Sequence, residues 1–559
     1  MSSSPAPSCP DQDVMPLCRT DVLAALALAA VLAVTAGARL YVEACGQCHD
    51  DAIYLATAKA LAEGDGYRQT FLPGAPPQTK YPPLYPILLA GLWRLWPDFP
   101  ANLLLLKGFT LLCGSAFLAI SYLFLVRFRI AERRIVLAAG LLCATSVMFL
   151  FFATLILSEM LFGLLLVCAL WWVESAARRP PGRATGDFFG GMLLALPYLC
   201  RSVGIVLIPL ALLRLRQAGQ RWRWAALGAG VAVLPWLLWS TGAWRSWEKD
   251  PVEGYYTDYL GWWFSFGPPA FARVVTYNVR WIVTGSSLGL DGTSELLKRG
   301  GDTVWVPFFG VLGLVVLAGL LIDVRKGRLL GTCLAAYLVL ISVWPWAPHR
   351  FLIPLLPFLL VYLLRGLDAV VCRLGSRQLA AGLGGALLGA ALVLNVAGWV
   401  LVVRARHLQD TSNPELGKDA HAWSGNRRLF DWLMAHTDPD DVIAAGSDPM
   451  IALYTGRRAY YPIVCPPLSL FYDLPGPKDA IMDAALAGLA RRRPRYLVLT
   501  PNFHGEKEFR AWVADLRQRF PGQVVSIYRD PVDERFEVFE LSGDLLRDVG
   551  SANGRGTAR

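Results

Sequence analysis

Long apolar runs alternate with short arginine-rich turns along the chain up to residue 403. The runs fall at 21–42, 101–126, 135–152, 156–173, 225–241, 303–322, 329–345, 351–366 and 380–403. Each approaches the roughly 20 residues an α-helix needs to cross a bilayer. A further stretch, 188–213, holds Pro197, Arg201 and Pro209. Interior prolines break helices, so it predicts two short helices interrupted near Cys200-Arg201-Ser202. Segment 84–97 is apolar but short, and Pro82, Pro83 and Pro86 crowd its start. It is expected to be interfacial or re-entrant. Together the pattern predicts a polytopic α-helical membrane protein of roughly eleven spans plus interfacial helices.

The polar turns give this bundle an orientation. RFRIAERR (127–134), RRPPGR (178–183), RLRQAGQRWR (214–223), RKGR (325–328) and the stretch 365–377 are all rich in arginine. Placing them all in the cytoplasm satisfies the positive-inside rule. The tail 1–20 is then cytoplasmic, 21–403 is the transmembrane domain, and 43–100 and 242–302 are outer loops. Everything after 404 is outside too. There the charge rises and short β-type runs appear: VIAA (442–445), YLVLT (496–500), VVSIY (524–528) and FEVFEL (536–541). Helical patterns near 427–436, 476–492 and 506–519 fall between them. This predicts a small extracytoplasmic α/β domain over 404–545, followed by a disordered tail, 546–559.

Composition agrees. Of 559 residues, 55% are hydrophobic and only 17% charged, against roughly 25% charged in a soluble domain. The net charge of +10 belongs to the cytoplasmic turns. No motif interleaves basic and aromatic residues, so no nucleic-acid partner is expected. The first run is long enough to remain as an anchor. The eleven cysteines are odd in number and lie mostly in apolar runs, which argues against a disulfide framework. Cys45-Gly-Gln-Cys48-His49 matches the haem-attachment pattern. It abuts a membrane helix with no cytochrome-like surroundings, which favours a local disulfide or free thiols.

The polar residues between the first runs carry the candidate chemistry. Asp50 and Asp51 follow the first span closely. One could serve as a general base; adjacent helical positions point about 100° apart, so only one would face a reacting centre. The structural alternative is that Asp50 caps a helix over 51–63. Lys80, before Tyr81-Pro-Pro, could bind a lipid phosphate, or anchor the interface with its neighbouring tyrosine. Glu159 opens a span, and Arg201 sits at the break in 188–213. They could line a polar cavity or simply pair with each other. His349-Arg350 stands at the edge of another span, as a second phosphate clamp or as an exposed cap. The loop 242–302 is rich in aromatics (Tyr255, Tyr256, Tyr259, Trp262, Trp263, Trp281), suited to stacking on a sugar or to an interfacial belt.

Taken together, Asp50-Asp51 with Tyr54, ALAEGDGY (60–67) and KYPPLYPILLAGLW (80–93) resemble the first outer loop of GT-C glycosyltransferases. The nearest group contains protein O-mannosyltransferases and lipid A aminoarabinose transferases. LSEMLFGLLL (157–166), LCRSVGIVLIPLALL (199–213), HRFLIPLLPFLL (349–360) and DVIAAGSDPMIALYTGRRAYYP (441–462) resemble later segments, in order. The resemblance implies inverting transfer of a sugar from a polyprenyl-phosphate donor to a protein, glycan or lipid acceptor at the outer face of the cell (inner) membrane. It gives Asp50 or Asp51 the role of base and Lys80 the donor phosphate. Arg201 and Arg350 would neutralise the departing phosphate. Glu159, with Tyr54 and His349, would serve the acceptor or a cation. One departure is the inserted Tyr81, where the family commonly has lysine followed directly by the prolines. The two aspartates and Glu159 could also bind a divalent cation, although no ligand spacing demands one. The rival readings are a transporter or flippase of lipid-linked sugars, and a catalytically inactive lipid-binding member. A transporter would favour inverted repeats and charges near the midplane, whereas these charges map to one edge.

Overall fold

The computed structural model describes residues 14–38, 40, 44–46, 48–242, 251–257, 267–285, 290, 302–374, 377–409, 422–463, 472, 478–501 and 505–547. Tyr259, Trp262, Trp263, most of 404–421 and the tail from 548 lie outside them.

Seven described helices are long and apolar enough to cross a membrane: Arg19–Gly37, Leu103–Arg127, Glu159–Ala176, Trp222–Gly242, Thr303–Arg325, His349–Val371 and Gly385–Val403. This is an integral membrane protein. The single span expected over 135–152 is instead two helices, Arg133–Thr145 and Val147–Ala153, bent by 65°. The cause is local. Ser146 is extended, and its hydroxyl accepts from the Phe149 amide at 3.2 Å, starting a new helix by N-capping. Counting this pair as one span gives eight. Ala184–Cys200, Leu329–Ser342 and Leu84–Leu95 are shorter apolar helices. The last, 12 residues, is about 18 Å long, well short of a hydrocarbon core of about 30 Å.

The break in 188–213 falls at Arg201. The helix ends at Cys200, Arg201 is extended, and a 3-10 turn over Ser202–Val206 leads into Leu207–Gln217. An arginine is thereby presented from a helix end inside the bundle.

Connectivity separates the two ends of the bundle. Glu159 opens a helix that ends beside Arg178; Arg201 follows one that begins after Arg183; Arg350 lies at the start of a run that passes Arg365. Glu159, Arg201 and Arg350 therefore share one end, and the arginine-rich turns share the other. At the basic end, three buried carboxylates staple helices together. Asp21 receives Arg133 at 2.7 Å. Glu174 receives Arg178 and, at 3.8 Å, Arg214. Asp323, on Asp302–Arg325, accepts from Tyr362 at 3.0 Å, Arg365 at 3.2 Å and Arg328 at 3.4 Å. These pairings consume the charges that would otherwise be stranded next to lipid.

The C-terminal part carries a five-stranded sheet. β1 (Val442–Ala445), β2 (Arg458–Tyr460), β3 (Tyr496–Leu499), β4 (Val524–Arg529) and β5 (Glu537–Leu541) are ordered β2-β1-β3-β5-β4. β1 pairs parallel with β2 and β3, while β5 pairs antiparallel with β3 and β4. All four strands read from the sequence are present. β2 and the helix Asp448–Thr455 were not read, because three and eight residues are too short for a period to show. This unit leans on the bundle end that carries Arg350: the Ala459 amide donates to the Phe71 carbonyl at 2.8 Å, and Arg492 pairs with Glu253 at 3.4 Å.

The Asp323 staple is testable. Asp323→Ala takes the acceptor from the buried Tyr362 hydroxyl and the carboxylate from two partly exposed guanidiniums, which costs about 1–3 kcal/mol. The variant should melt several degrees lower in detergent than wild type; an unchanged midpoint would remove this staple from the account.

Candidate active site

Asp50 is the first residue of the helix Asp50–Glu63, and His49 occupies the cap position. The expectation that Asp50 caps this helix is therefore corrected. Its carboxylate is spent elsewhere. Oδ2 accepts from Arg350 Nη1 at 2.6 Å, and Oδ1 accepts from the Tyr81 hydroxyl at 2.7 Å. About a quarter of the Asp50 and Arg350 side chains stays exposed. Arg350 also grips Glu159, with Nε and Nη2 donating to Oε1 at 3.1 and 2.9 Å. Arg201 pairs with the same oxygen at 2.8 Å and donates to Ser158 Oγ at 3.0 Å. Glu159 is fully buried, and its Oε2 has no hydrogen-bond partner among the described residues. The pairing of Glu159 with Arg201 weighed from the sequence is thus present, and Arg350 joins it.

The two aspartates part company. Asp51 points into the protein, where its Oδ2 accepts from the Gly46 amide at 2.8 Å and from the Cys45 thiol at 3.7 Å. Its Oδ1 is buried without a hydrogen-bond partner among the described residues. Burial pushes the Asp51 carboxyl up. For Asp50, burial acts in the same sense, but the charges of Arg350 and Lys80 and the Tyr81 hydrogen bond outweigh it. Asp50 is held well below the usual carboxylate range. Of the two, the raised carboxyl is the one that faces away.

Lys80 stands on a braced turn. Gln78 Oε1 accepts from the Lys80 and Tyr81 amides at 3.1 and 3.3 Å, while Gln78 Nε2 donates to Thr57 at 3.4 Å. The Gln78 carbonyl accepts from the Trp239 indole at 2.9 Å. The ammonium donates to the Tyr255 carbonyl at 3.2 Å and lies 4.5 Å from the Tyr255 ring centre and 4.9 Å from that of Trp346. Burial lowers its pKa to about 8, against the attraction of Asp50. Tyr54 lies behind Asp50, sharing a 3.1 Å hydrogen bond with Ser158 and packing 4.9 Å from Tyr81. The His349 ring is 6.2 Å from that of Trp281.

The cluster holds three cations, Lys80, Arg201 and Arg350, against two carboxylates, Asp50 and Glu159. Its excess charge is positive, which suits an anionic group. No set of three His, Cys, Asp or Glu side chains gathers to hold a metal among the described residues. Asp50 and Glu159 are bridged by a guanidinium, and Asp51 faces elsewhere, so the cation site imagined from these three residues is not assembled. The Cys45 thiol is not bridged to Cys48 but lies buried against Asp51, which corrects the local-disulfide alternative. His49 is turned toward Asp448 at 3.3 Å.

Sequence reasoning missed Tyr81 as the Asp50 partner, the Tyr255 carbonyl and Trp346 around Lys80, and Asp448. Tyr81 left a signal as the residue inserted between lysine and the prolines, and Tyr255 as one of the aromatics of the loop 242–302.

No family profile and no curated protein matches the sequence. Solved structures resemble it in fold. ArnT from Cupriavidus metallidurans bound to undecaprenyl phosphate superposes with a TM-score of 0.51 at 14% identity, covering 95% of this chain and 99% of that one. Its apo form gives 0.51 at 13%, covering 93% and 98%. The Archaeoglobus fulgidus oligosaccharyltransferase tethered with an acceptor peptide gives 0.48 at 12%, over 93% and 74%. Over nearly its whole length the chain has the GT-C fold of ArnT.

Proposed function

We propose that this protein is a membrane glycosyltransferase that transfers a sugar from a polyprenyl-phosphate donor to a protein, glycan or lipid acceptor. The observation that carries this reading is the Asp50 carboxylate, partly exposed beside Arg350 and Lys80 at one end of a GT-C bundle. ArnT, with the same fold, is bound to undecaprenyl phosphate. The arginine-rich turns belong in the cytoplasm by the positive-inside rule. The site and the C-terminal α/β unit after residue 404 then face the outside of the cell membrane.

The chemistry is a single displacement. The acceptor heteroatom attacks the anomeric carbon as Asp50 takes its proton, and the carbon–oxygen bond to the lipid phosphate breaks on the opposite face. The configuration therefore inverts. The phosphate leaves with the bond's electron pair, and Lys80, Arg350 and Arg201 stabilise its charge. A strongly acidic aspartate is a weak base. Donor phosphate corrects this by sharing the positive charge of Arg350 and Lys80, which raises the basicity of Asp50 only when donor is in place.

Two measurements test the reading. In a transfer assay with labelled polyprenyl-phosphate sugars, Asp50→Asn should lower turnover by about 10²- to 10⁴-fold, the usual contribution of a general base. Asp51→Asn, which keeps the buried shape, should retain most activity. Full turnover in Asp50→Asn, or no transfer from any donor by wild type, would sink the proposal. The pH profile supplies the second. Asp50 stays ionised on the acid side. On the alkaline side Lys80 loses its proton as pH rises through about 8, so donor KM should climb there. Lys80→Arg, whose guanidinium does not titrate in this range, should move that limb upward; an unmoved limb would assign it to another group.

A further inference from the structure

The helix Asp448–Thr455 of the C-terminal unit lies against the loop that leads into Asp50. Asp448 is fully buried, and both of its oxygens are used. Oδ1 is 3.3 Å from His49 Nε2, and Oδ2 accepts from the Tyr256 hydroxyl. Each partner is one residue from the cluster around Asp50. His49 precedes Asp50. Tyr256 follows Tyr255, whose carbonyl and ring hold the Lys80 ammonium. The same segment is fixed to the lysine turn by Thr79 donating to the Thr257 carbonyl at 2.8 Å, and by Gln69 donating to the Tyr256 carbonyl at 3.1 Å.

The loop itself is moulded to this helix. Gly46 has φ +102°, and a Cβ there would sit 2.5 Å from Met450 Cβ. Only glycine permits that approach. The Cys45 amide donates to the Tyr454 hydroxyl at 3.0 Å. His49 has φ +58° and ψ −56°, a conformation that costs a non-glycine residue on the order of 1–3 kcal/mol and persists only where its surroundings over-determine it. Asp448 on its ring nitrogen, and the rings of Tyr256 and Tyr255 at 6.0 and 6.1 Å, are those surroundings.

We propose that Asp448 is a positioning residue of the transfer reaction: through His49 it seats the base, and through Tyr256 it seats the phosphate-binding lysine. It touches neither Asp50 nor Lys80. A carboxylate suits the task because it offers two acceptors to two donors facing it from different segments. Asparagine, of the same shape, would set an amide donor against one of them. The C-terminal unit thereby becomes part of the active site's scaffold. The inference rests on the reaction proposed above, and its test separates the two.

Asp448→Asn and Tyr256→Phe would be purified in detergent as full-length chains and given a membrane-impermeant maleimide, with modified cysteines mapped by mass spectrometry. Cys45 is buried against Asp51. If Asp448 holds the loop, Cys45 should label several-fold faster in both variants at a nearly unchanged melting midpoint. In the transfer assay kcat should fall by about 10- to 100-fold, the scale of a misplacement of about 1 Å, and donor KM should rise with it. Loss of folded protein would not move KM. Unchanged Cys45 labelling in both variants overturns the proposal, and so does faster labelling with unaltered kcat and KM. If wild type transfers from no donor, the reaction falls, and Cys45 labelling alone decides whether Asp448 seats the loop.

Discussion

Arg350 is the contact on which the site depends. One guanidinium holds Asp50, 300 residues earlier in the chain, and Glu159, 191 residues earlier. Glu159 in turn holds Arg201. Four charges drawn from four segments thus form one network at the end of a helical bundle. Burying any of them alone would cost several kcal/mol. They are tolerable because each carboxylate meets a cation and each guanidinium presents several donors in a plane. The same network fixes where Arg201 can lie, since the helix before it must stop to let the guanidinium reach Ser158 and Glu159.

Much of this was legible in the sequence. Hydropathy located the apolar helices, because lipid leaves a chain few alternatives, but seven described helices, or eight with the bent pair, are long enough to cross, against the roughly eleven expected. The arginine turns separated the two ends of the bundle, and charged residues at the other end were the natural candidates. Asp50, Lys80, Glu159, Arg201 and Arg350 do converge. What could not be read was who meets whom. The division between Asp50 and Asp51 depends on the positive-φ turn at His49, and that turn depends on Asp448 almost 400 residues away. The bend at Ser146 hung on a single side-chain cap. The depressed pKa of Asp50 follows from the arrival of Arg350, which no spacing along the chain foretells.

The contrast between the two aspartates is a matter of surroundings. Both sit in the first turn of one helix, where the backbone favours negative charge. Asp51 meets backbone amides and a thiol, and burial dominates. Asp50 meets a guanidinium and an ammonium, and they dominate. One helical step, about 100°, separates a carboxylate set among backbone amides, a thiol and the charge of Lys107 from one set beside a guanidinium and an ammonium.

The sequence distances in these contacts also impose an order in time. A ribosome delivers Asp50 early, Arg350 some 300 residues later and Asp448 another hundred residues on. Until residue 350 is made, Asp50 has no guanidinium beside it. Until residue 448 is made, His49 lacks the carboxylate that faces its ring in this positive-φ turn. A nascent chain whose membrane part is nearly finished is therefore still an unassembled site, and the last folded unit completes it. A chain truncated before the sheet would lack the contact between Asp448 and His49.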